Sequence, residues 1–260
     1  MTTTTKLPSD SDEQYRIYWE RLKEAAQYHP ANRYRYALIF STLRKHLKPD
    51  TTVLDMGCGD ARLLQHLRNI SPKSRFFGSD ISYIIVTHDK ERIPLITFFQ
   101  GDVSADTFIA AANDAGVQYA DIIIASEVIE HVHNDITLLT NAATLLSPGG
   151  ILVLTTQAGR RYRVDLELLH HLRHYDRKLL EQMIRQAGLE IEVSFNCGFP
   201  ILNIQKFLVN AMFTTVIRAA ASSGRPPFIA RAAMSIMYTL LRFSPPGLGP
   251  QLFIVARKPS

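Results

Sequence analysis

Cysteine is almost missing from this chain. Among 260 residues only Cys58 and Cys197 occur, far apart and in no ligand-like spacing, so neither a disulfide framework nor a zinc ribbon can be built from them. That usage fits a reducing, intracellular compartment. Acidic residues are missing from one whole region: from Val193 to Ser260 there is no Asp or Glu. The net charge of +5 is therefore unevenly placed, because residues 1–157 hold 15 Lys/Arg against 18 Asp/Glu whereas residues 158–260 hold 14 against 6. Such asymmetry points to an anionic partner, either a nucleic acid or a lipid surface. Long hydrophobic runs are scarce too. The opening MTTTTKLPSDSDEQ is polar and already carries Asp10, which excludes the apolar stretch of a signal peptide and the acid-poor face of a transit peptide. It reads as a frayed tail on a cytoplasmic protein.

What is present is 46% apolar content, enough for one large α/β core with an insertion. Residues 1–47 form a tail and helical lid in which Tyr15, Tyr18, Trp19 and Leu22 recur at helical spacing and Tyr34 to Leu47 continues apolar and basic. The short runs TVLDMG (52–57), RFFGSD (75–80), LITFFQGD (95–102), DIIIAS (121–126) and GILVLTTQ (150–157) each follow a turn or a helix-like segment. This alternation predicts an α/β fold with a doubly wound, largely parallel sheet. A helix over Tyr175–Ala187, the alternating LEIEVSFN (189–196) and QLFIVAR (251–257) complete a core that spans 48–196 and resumes at 251–260.

The first strand ends in VLDMGCGDARLL, where Asp55, Gly57 and Gly59 stand at the turn into a helix. Glycines there let a backbone approach a ligand closely. Asp80 ends the second strand 25 residues after Asp55, where an acid can take a ribose hydroxyl, Asp102 follows Gly101 after the third, and Ser126-Glu127 end the fourth. Polar groups at four successive strand ends match the rule that open α/β sheets bind ligands at their carboxyl edge.

In order and separation, VLDMGCGDARL, GSDIS, GDV and LSPGGILVLTT resemble the class I S-adenosylmethionine-dependent methyltransferases, in the group typified by quinone and lipid methyltransferases. The resemblance covers about 34–157 and resumes at 171–191 and 252–259. Ala61 departs from it where many members carry a third glycine, which also weakens a nicotinamide-binding alternative. The resemblance implies a Rossmann-like seven-stranded mixed sheet and S-adenosylmethionine as cofactor. It further implies that Asp55 and the Gly57-Cys58-Gly59 backbone hold the amino acid end and that Asp80 takes the ribose hydroxyls. Ile81 would pack on the adenine, with Asp102 at its amine, the Val103 backbone at a ring nitrogen, and the Ser126 carbonyl facing the amino group. Tyr34 or Arg33 of the lid would close over the cofactor.

SEVIEHVH (126–133) packs two carboxylates and two imidazoles into eight residues. A helical turn starting at Ser126 would put Glu127, Glu130 and His131 on one face. They could then act as catalytic groups, with His131 accepting a proton from an attacking hydroxyl, or hold a divalent cation. The ExxEH pattern resembles that of ubiquinone-pathway O-methyltransferases and of small-RNA 2′-O-methyltransferases, where metal is implicated; in the RNA enzymes a further histidine downstream completes the site, and His174 is its nearest counterpart. His133, His170 and His171 read as surface or packing residues.

Residues 197–250 are an insertion of two helices, each with a narrow polar stripe: Asn203, Lys206, Asn210, Thr214 and Arg218 in one, Arg231, Ser235, Thr239 and Arg242 in the other. Neither reaches the ~20 apolar residues of a membrane span. Their wide apolar faces need a cover, whether the core, a second subunit through residues 199–243, a lipophilic substrate or a membrane surface. The expectation is methyl transfer to a small lipophilic acceptor, most simply at oxygen, on a protein that can lie peripheral to a membrane and does not bind nucleic acid. An RNA 2′-O-methyltransferase with an ExxEH metal site and a catalytically inactive, cofactor-binding partner subunit are the alternatives.

Overall fold

The computed structural model describes residues 26–214 and 226–260. Expectations placed on residues 1–25, and on Ile217 and Arg218 of the insertion, lie outside them. One seven-stranded sheet forms the centre, with β1 (Thr52–Met56), β2 (Arg75–Asp80), β3 (Thr97–Gln100), β4 (Ala120–Ser126), β5 (Leu146–Gln157), β6 (Glu190–Cys197) and β7 (Gln251–Arg257) in the order β3-β2-β1-β4-β5-β7-β6. β1 to β5 pair in parallel, and β7 is antiparallel to both β5 and β6. The mixed sheet expected from the sequence is the one observed.

Central strands are buried on both faces, so they read as near-continuous apolar runs rather than alternating ones. Leu54, Met56, Ile123 and Leu152 pack into the core on one face, and Val53, Ile122, Ile124 and Val153 into the core on the other. The helices α2 (Arg62–Ile70), α3 (Tyr83–Arg92), α4 (Phe108–Asp114) and α5 (Asp135–Leu145) fill the crossovers between the parallel strands, the short α6 (Arg163–Glu167) follows β5, and α7 (Arg177–Gln186) leads into β6. α7 starts where the Asp176 carboxylate accepts the backbone N–H groups of Lys178 and Leu179, an N-cap that stabilises the helix by about 1 kcal/mol.

The helix α1 (Pro30–Leu43) packs Ile39 and Leu43 onto the sheet core. The insertion contributes α8 (Ile201–Ala211) and α9 (Phe228–Leu241), and α9 lies against both α1 and α8. Tyr34 of α1, Cys197, Leu202 and Leu241 form a separate apolar cluster that joins lid and insertion. No helix among the described residues is long and apolar enough to cross a membrane.

The chain reverses its crossover direction at β1, which lies between β2 and β4. Ligands of open α/β sheets sit at such switch points, beyond the carboxyl ends of the strands.

Candidate active site at the carboxyl edge of the sheet

After β1 the backbone turns through Gly57 at φ +80° and Gly59 at φ +53°. Gly57 and Cys58 both donate their N–H to the Ser79 carbonyl at 2.8 Å, which fastens the turn to the end of β2. A Cβ at Gly57 would stand 2.5 Å from the Val128 Cγ2, so the close approach admits only glycine. Ala61, at the entry to α2, holds φ +54°. A glycine would adopt this conformation without strain, which gives a physical reason for the third glycine of the related sequences.

Two carboxylates stand at this turn. Asp80 is buried and accepts the Gly59 N–H at 3.1 Å and the Ser82 N–H at 3.0 Å. Burial pushes its carboxyl up to about 6, against the pull of those two N–H groups. Asp55 is also buried, and among the described residues nothing donates a hydrogen bond to its side chain. Burial, followed by Asp80 and Asp60, pushes it up to about 7, with Arg35 pulling the other way. Two buried carboxylates beside two left-handed glycines, one of them without a hydrogen-bond donor to its side chain, make a cradle for a ligand that brings hydroxyl donors and positive charge. It fits the ribose and amino acid halves of S-adenosylmethionine.

The remaining expected contacts line the same edge. Ile81 is 61% exposed just past β2, in position to flank a planar group. Asp102 is exposed after β3 and accepts the backbone N–H and hydroxyl of Ser104, whereas Val103 is buried with its carbonyl held by Asn141. Ser126 ends β4 with its hydroxyl 3.0 Å from that of Thr155. Cys58 is buried against Gly78. Tyr34 is placed differently from its expected part in the lid: it sits in the cluster with Cys197, Leu202 and Leu241 rather than facing the glycine turn. The lid residue that reaches the site is Arg35.

The segment after β4 also departs from expectation. Ser126 starts no helical turn; it is the last residue of β4, Glu127 takes a left-handed φ of +59°, and a short 3-10 turn covers Ile129–His131. Such a conformation costs a non-glycine residue about 1–2 kcal/mol, and a polar network holds it in place. Glu127 accepts from Gln251 at 2.8 Å, from Thr155 at 3.2 Å and from Gln157, and lies 3.7 Å from the Arg35 guanidinium. Burial opposes its ionisation, but Arg35 and the two amides outweigh burial and hold the carboxyl below its ordinary range.

Glu130 points elsewhere, accepting from Thr156 at 2.7 Å, and is fully buried. Burial, then the neighbouring Glu127, pushes its carboxyl well above the usual range, and its Oε1 has no partner among the described residues. Glu127, Glu130 and His131 therefore do not form the joint ligand face expected from the sequence. The group that does come together is Glu130, His131 and His171, whose candidate ligand atoms lie within 4.8 Å of one another. His171, read from the sequence as a surface or packing residue, is buried, with its ring edge-on to His131 at 4.8 Å between centroids.

Sequence spacing carries no sign of this meeting. The segment 171–175 is pinned to the 3-10 turn by the Leu172 N–H on the Glu130 carbonyl (2.8 Å), by the Tyr175 hydroxyl on the Ile129 carbonyl (3.1 Å) and by Arg173 on Asp135 (2.6 Å). His174 lies 2.9 Å from His171 and 3.9 Å from Asp165, on the far side of His171 from His131. Desolvation lowers the pKa of all three rings, that of His171 to about 4. His131 also meets solvent. It is thus a neutral, accessible base at the mouth of β4.

Arg35, Gln157, Gln251, His171 and Asp165 gather around this edge, and sequence reasoning gave none of them a part in the candidate site. Gln251 opens β7 opposite Gln157 in the antiparallel register, a pairing that only the fold reveals.

The family described as a methyltransferase domain matches residues 24–193. A ubiquinone biosynthesis O-methyltransferase of Xanthomonas axonopodis pv. citri is 24% identical over 157 residues, covering 54% of this chain and 63% of that protein. The chain spans about half the length of the curated relatives it matches. Two crystal structures share the fold. One is a Galdieria sulphuraria protein provisionally assigned as a sarcosine dimethylglycine methyltransferase, with a TM-score of 0.63, 14% identity and coverage of 96% of this chain and 99% of that one. The other is the cyclase SpnF, with a TM-score of 0.57, 16% identity and coverage of 86% and 81%.

Proposed function

The chain belongs to the methyltransferase-domain family, and from that premise we propose that it uses S-adenosylmethionine to methylate a small, lipophilic acceptor at oxygen. The observation that carries this reading is the juxtaposition of the Asp55–Asp80 cradle with a neutral, accessible His131 one strand away. Asp80 would accept the ribose hydroxyls and Asp55 the positive end, with Gly57 and Gly59 giving room for close approach. Ile81, Asp102 and Val103 would hold the base, and the Ser126 carbonyl would face the amino group. The bound cofactor supplies an electrophilic methyl group on a sulfonium.

The chain's own contribution is alignment and proton removal. A direct displacement needs little beyond correct positioning and exclusion of water. His131 takes the proton of the attacking hydroxyl, which its lowered pKa leaves it free to do at neutral pH. Arg35 and the amides of Gln157 and Gln251 keep Glu127 ionised beside the site, where its charge favours an imidazolium on His131 as the proton arrives. The named O-methyltransferase among the relatives supports oxygen as the acceptor atom, and the apolar insertion beside the site supports a lipophilic molecule.

With radiolabelled-methyl S-adenosylmethionine and a total lipid extract, label should pass into an organic-soluble, base-stable product. His131→Ala should lower that transfer by about 10²–10⁴-fold, the usual contribution of a general base. Label that entered only RNA would instead favour a 2′-O-methyltransferase, and no transfer to any fraction a non-catalytic subunit. A second reading gives Glu130, His131 and His171 a divalent cation, on the strength of the unpartnered Glu130 Oε1. Calorimetric titration of chelator-treated protein with Mn²⁺ should then show one site that Glu130→Gln removes; no heat with any divalent cation leaves His131 as the base.

A further inference from the structure

The insertion turns part of its polarity inward, although Asn203, Thr214, Ser235, Thr239 and Arg242 of its polar stripes stay exposed. In α8 three polar residues turn toward the protein: Lys206 reaches the buried Asp165 at 3.7 Å, Asn210 accepts the Arg163 N–H at 3.0 Å, and Gln205 lies 2.9 Å from His29. Lys206 therefore serves the neighbourhood of the site, not an outer surface as its sequence stripe suggested. In α9 the Ser235 hydroxyl accepts from Arg33, whose guanidinium also lies 4.1 Å over the Tyr238 ring.

Leu202, Phe213 and Leu241 are buried, but many of the other apolar side chains face outward. Phe207 is 63% and Met212 54% exposed at the α8 end, and Phe228 (75%), Ile229 (81%), Ile236 (62%) and Phe243 (81%) continue along α9 and just past it. Taking about 200 Å² for a fully exposed large apolar side chain, these six present on the order of 800 Å², above the roughly 300–600 Å² of a typical monomer's largest patch. Ile229, Ile236 and Phe243 recur every seven residues, along one stripe of the helix.

We infer that the outward face of α8 and α9 docks on an anionic lipid surface, which deepens the lipophilic-acceptor reading of the neighbouring site. Charge selects the occupant. The outward region of α8 and α9 carries no acid, and of its described basic residues Arg231 lies on α9 and Arg242 is exposed between the buried Leu241 and the protruding Phe243. A two-fold contact between copies through this face would bring the exposed Arg242 of each copy into the apolar interface with no acid of the segment to offset it. An anionic bilayer offers the opposite charge together with an apolar layer for the phenylalanines. The helices are too short to span it, so they lie in its interface. Because the same α8 carries Lys206 to Asp165, docking fixes the mouth of the site against the layer in which a lipophilic acceptor dissolves.

The test is cosedimentation of the purified protein with phosphatidylcholine vesicles, with and without about a third phosphatidylglycerol. Binding should be tighter to the anionic vesicles and weaken at high salt. Arg242→Gln should weaken it about fivefold, the equivalent of one basic residue at a charged bilayer. Phe207→Ser with Phe243→Ser, at exposed positions that leave the core untouched, should bring it to background. Equal binding to both vesicles, no binding by a monomer, or a solution dimer broken by Phe243→Ser in place of vesicle binding would each overturn the inference. Titration with S-adenosylhomocysteine in parallel separates the two readings: vesicle binding without cofactor binding would sink the enzymatic reading and leave the docking face, and the reverse pattern would do the opposite.

Discussion

Replacing Asp55 by Asn should make the ligand-free protein more stable while weakening its hold on the cofactor. Asp55 is 3% exposed, and its carboxyl is raised from 3.8 to about 7, first by burial and then by Asp80 and Asp60. A rise of about three pH units corresponds to about 4 kcal/mol. The sign follows from proton binding. Below about pH 4 the carboxyl is neutral in both folded and unfolded chains and contributes nothing. Between about 4 and 7 the unfolded chain releases its proton while the fold retains it, so stability falls as pH rises. Above 7 the full penalty is in place. An amide of the same shape never ionises, so the gain of Asp55→Asn should grow from near zero at pH 4 to about 2–4 kcal/mol at pH 8, the upper figure assuming no relaxation. Urea unfolding of both proteins at several pH values measures it, with the midpoint changing and the slope not. A variant no more stable than the parent at pH 8, or a difference that does not vary with pH, would refute the assignment of Asp55 as a strained carboxylate awaiting a cationic partner. The same substitution should weaken S-adenosylhomocysteine binding, since the amide cannot pair with a positive amino group.

Arg35→Ala should destabilise the protein by about 2–4 kcal/mol in urea unfolding at neutral pH, because it leaves the buried Glu127 charge uncompensated. Arg35→Ala combined with Glu127→Gln should lose less than the two single changes together, and additive losses would show that the pair is not coupled. Gly57→Ala should cost about 2–4 kcal/mol in the same assay, the combined result of a left-handed φ and a Cβ 2.5 Å from Val128; an unchanged midpoint would mean that the turn is looser than its geometry indicates.

Most of the sheet was legible because buried strands advertise themselves as apolar runs, and QLFIVAR coincides with β7 residue for residue. β5 begins at Leu146, ahead of the expected Gly150, because Leu146 pairs with Ala120 across a register shift that no local pattern encodes. The glycine turn and Asp80 were legible because they are local signals at fixed offsets. The arrangement around SEVIEHVH was not, for two physical reasons. A helical turn is the local default for that stretch, and only the tertiary partners Gln157, Gln251 and Arg35 hold Glu127 in the left-handed region instead. His171 meets His131 only because hydrogen bonds fold 171–175 over the 3-10 turn, a contact between segments forty residues apart. In the insertion, the amphipathic pattern was visible but its direction was not. A polar stripe is ordinarily solvated, and here Asp165 and Arg163 draw Lys206 and Asn210 of it inward.

The central claim is that the edge of the sheet at β1 and β2 holds S-adenosylmethionine, and calorimetry with S-adenosylhomocysteine tests it most directly. The wild-type protein should bind one equivalent and show a raised melting temperature, as a ligand of the native state requires. Asp80→Ala, which removes the carboxylate that Gly59 and Ser82 orient, should abolish most of both effects while the protein remains folded. A folded wild-type protein that gives neither heat nor a thermal shift would contradict the account at its base.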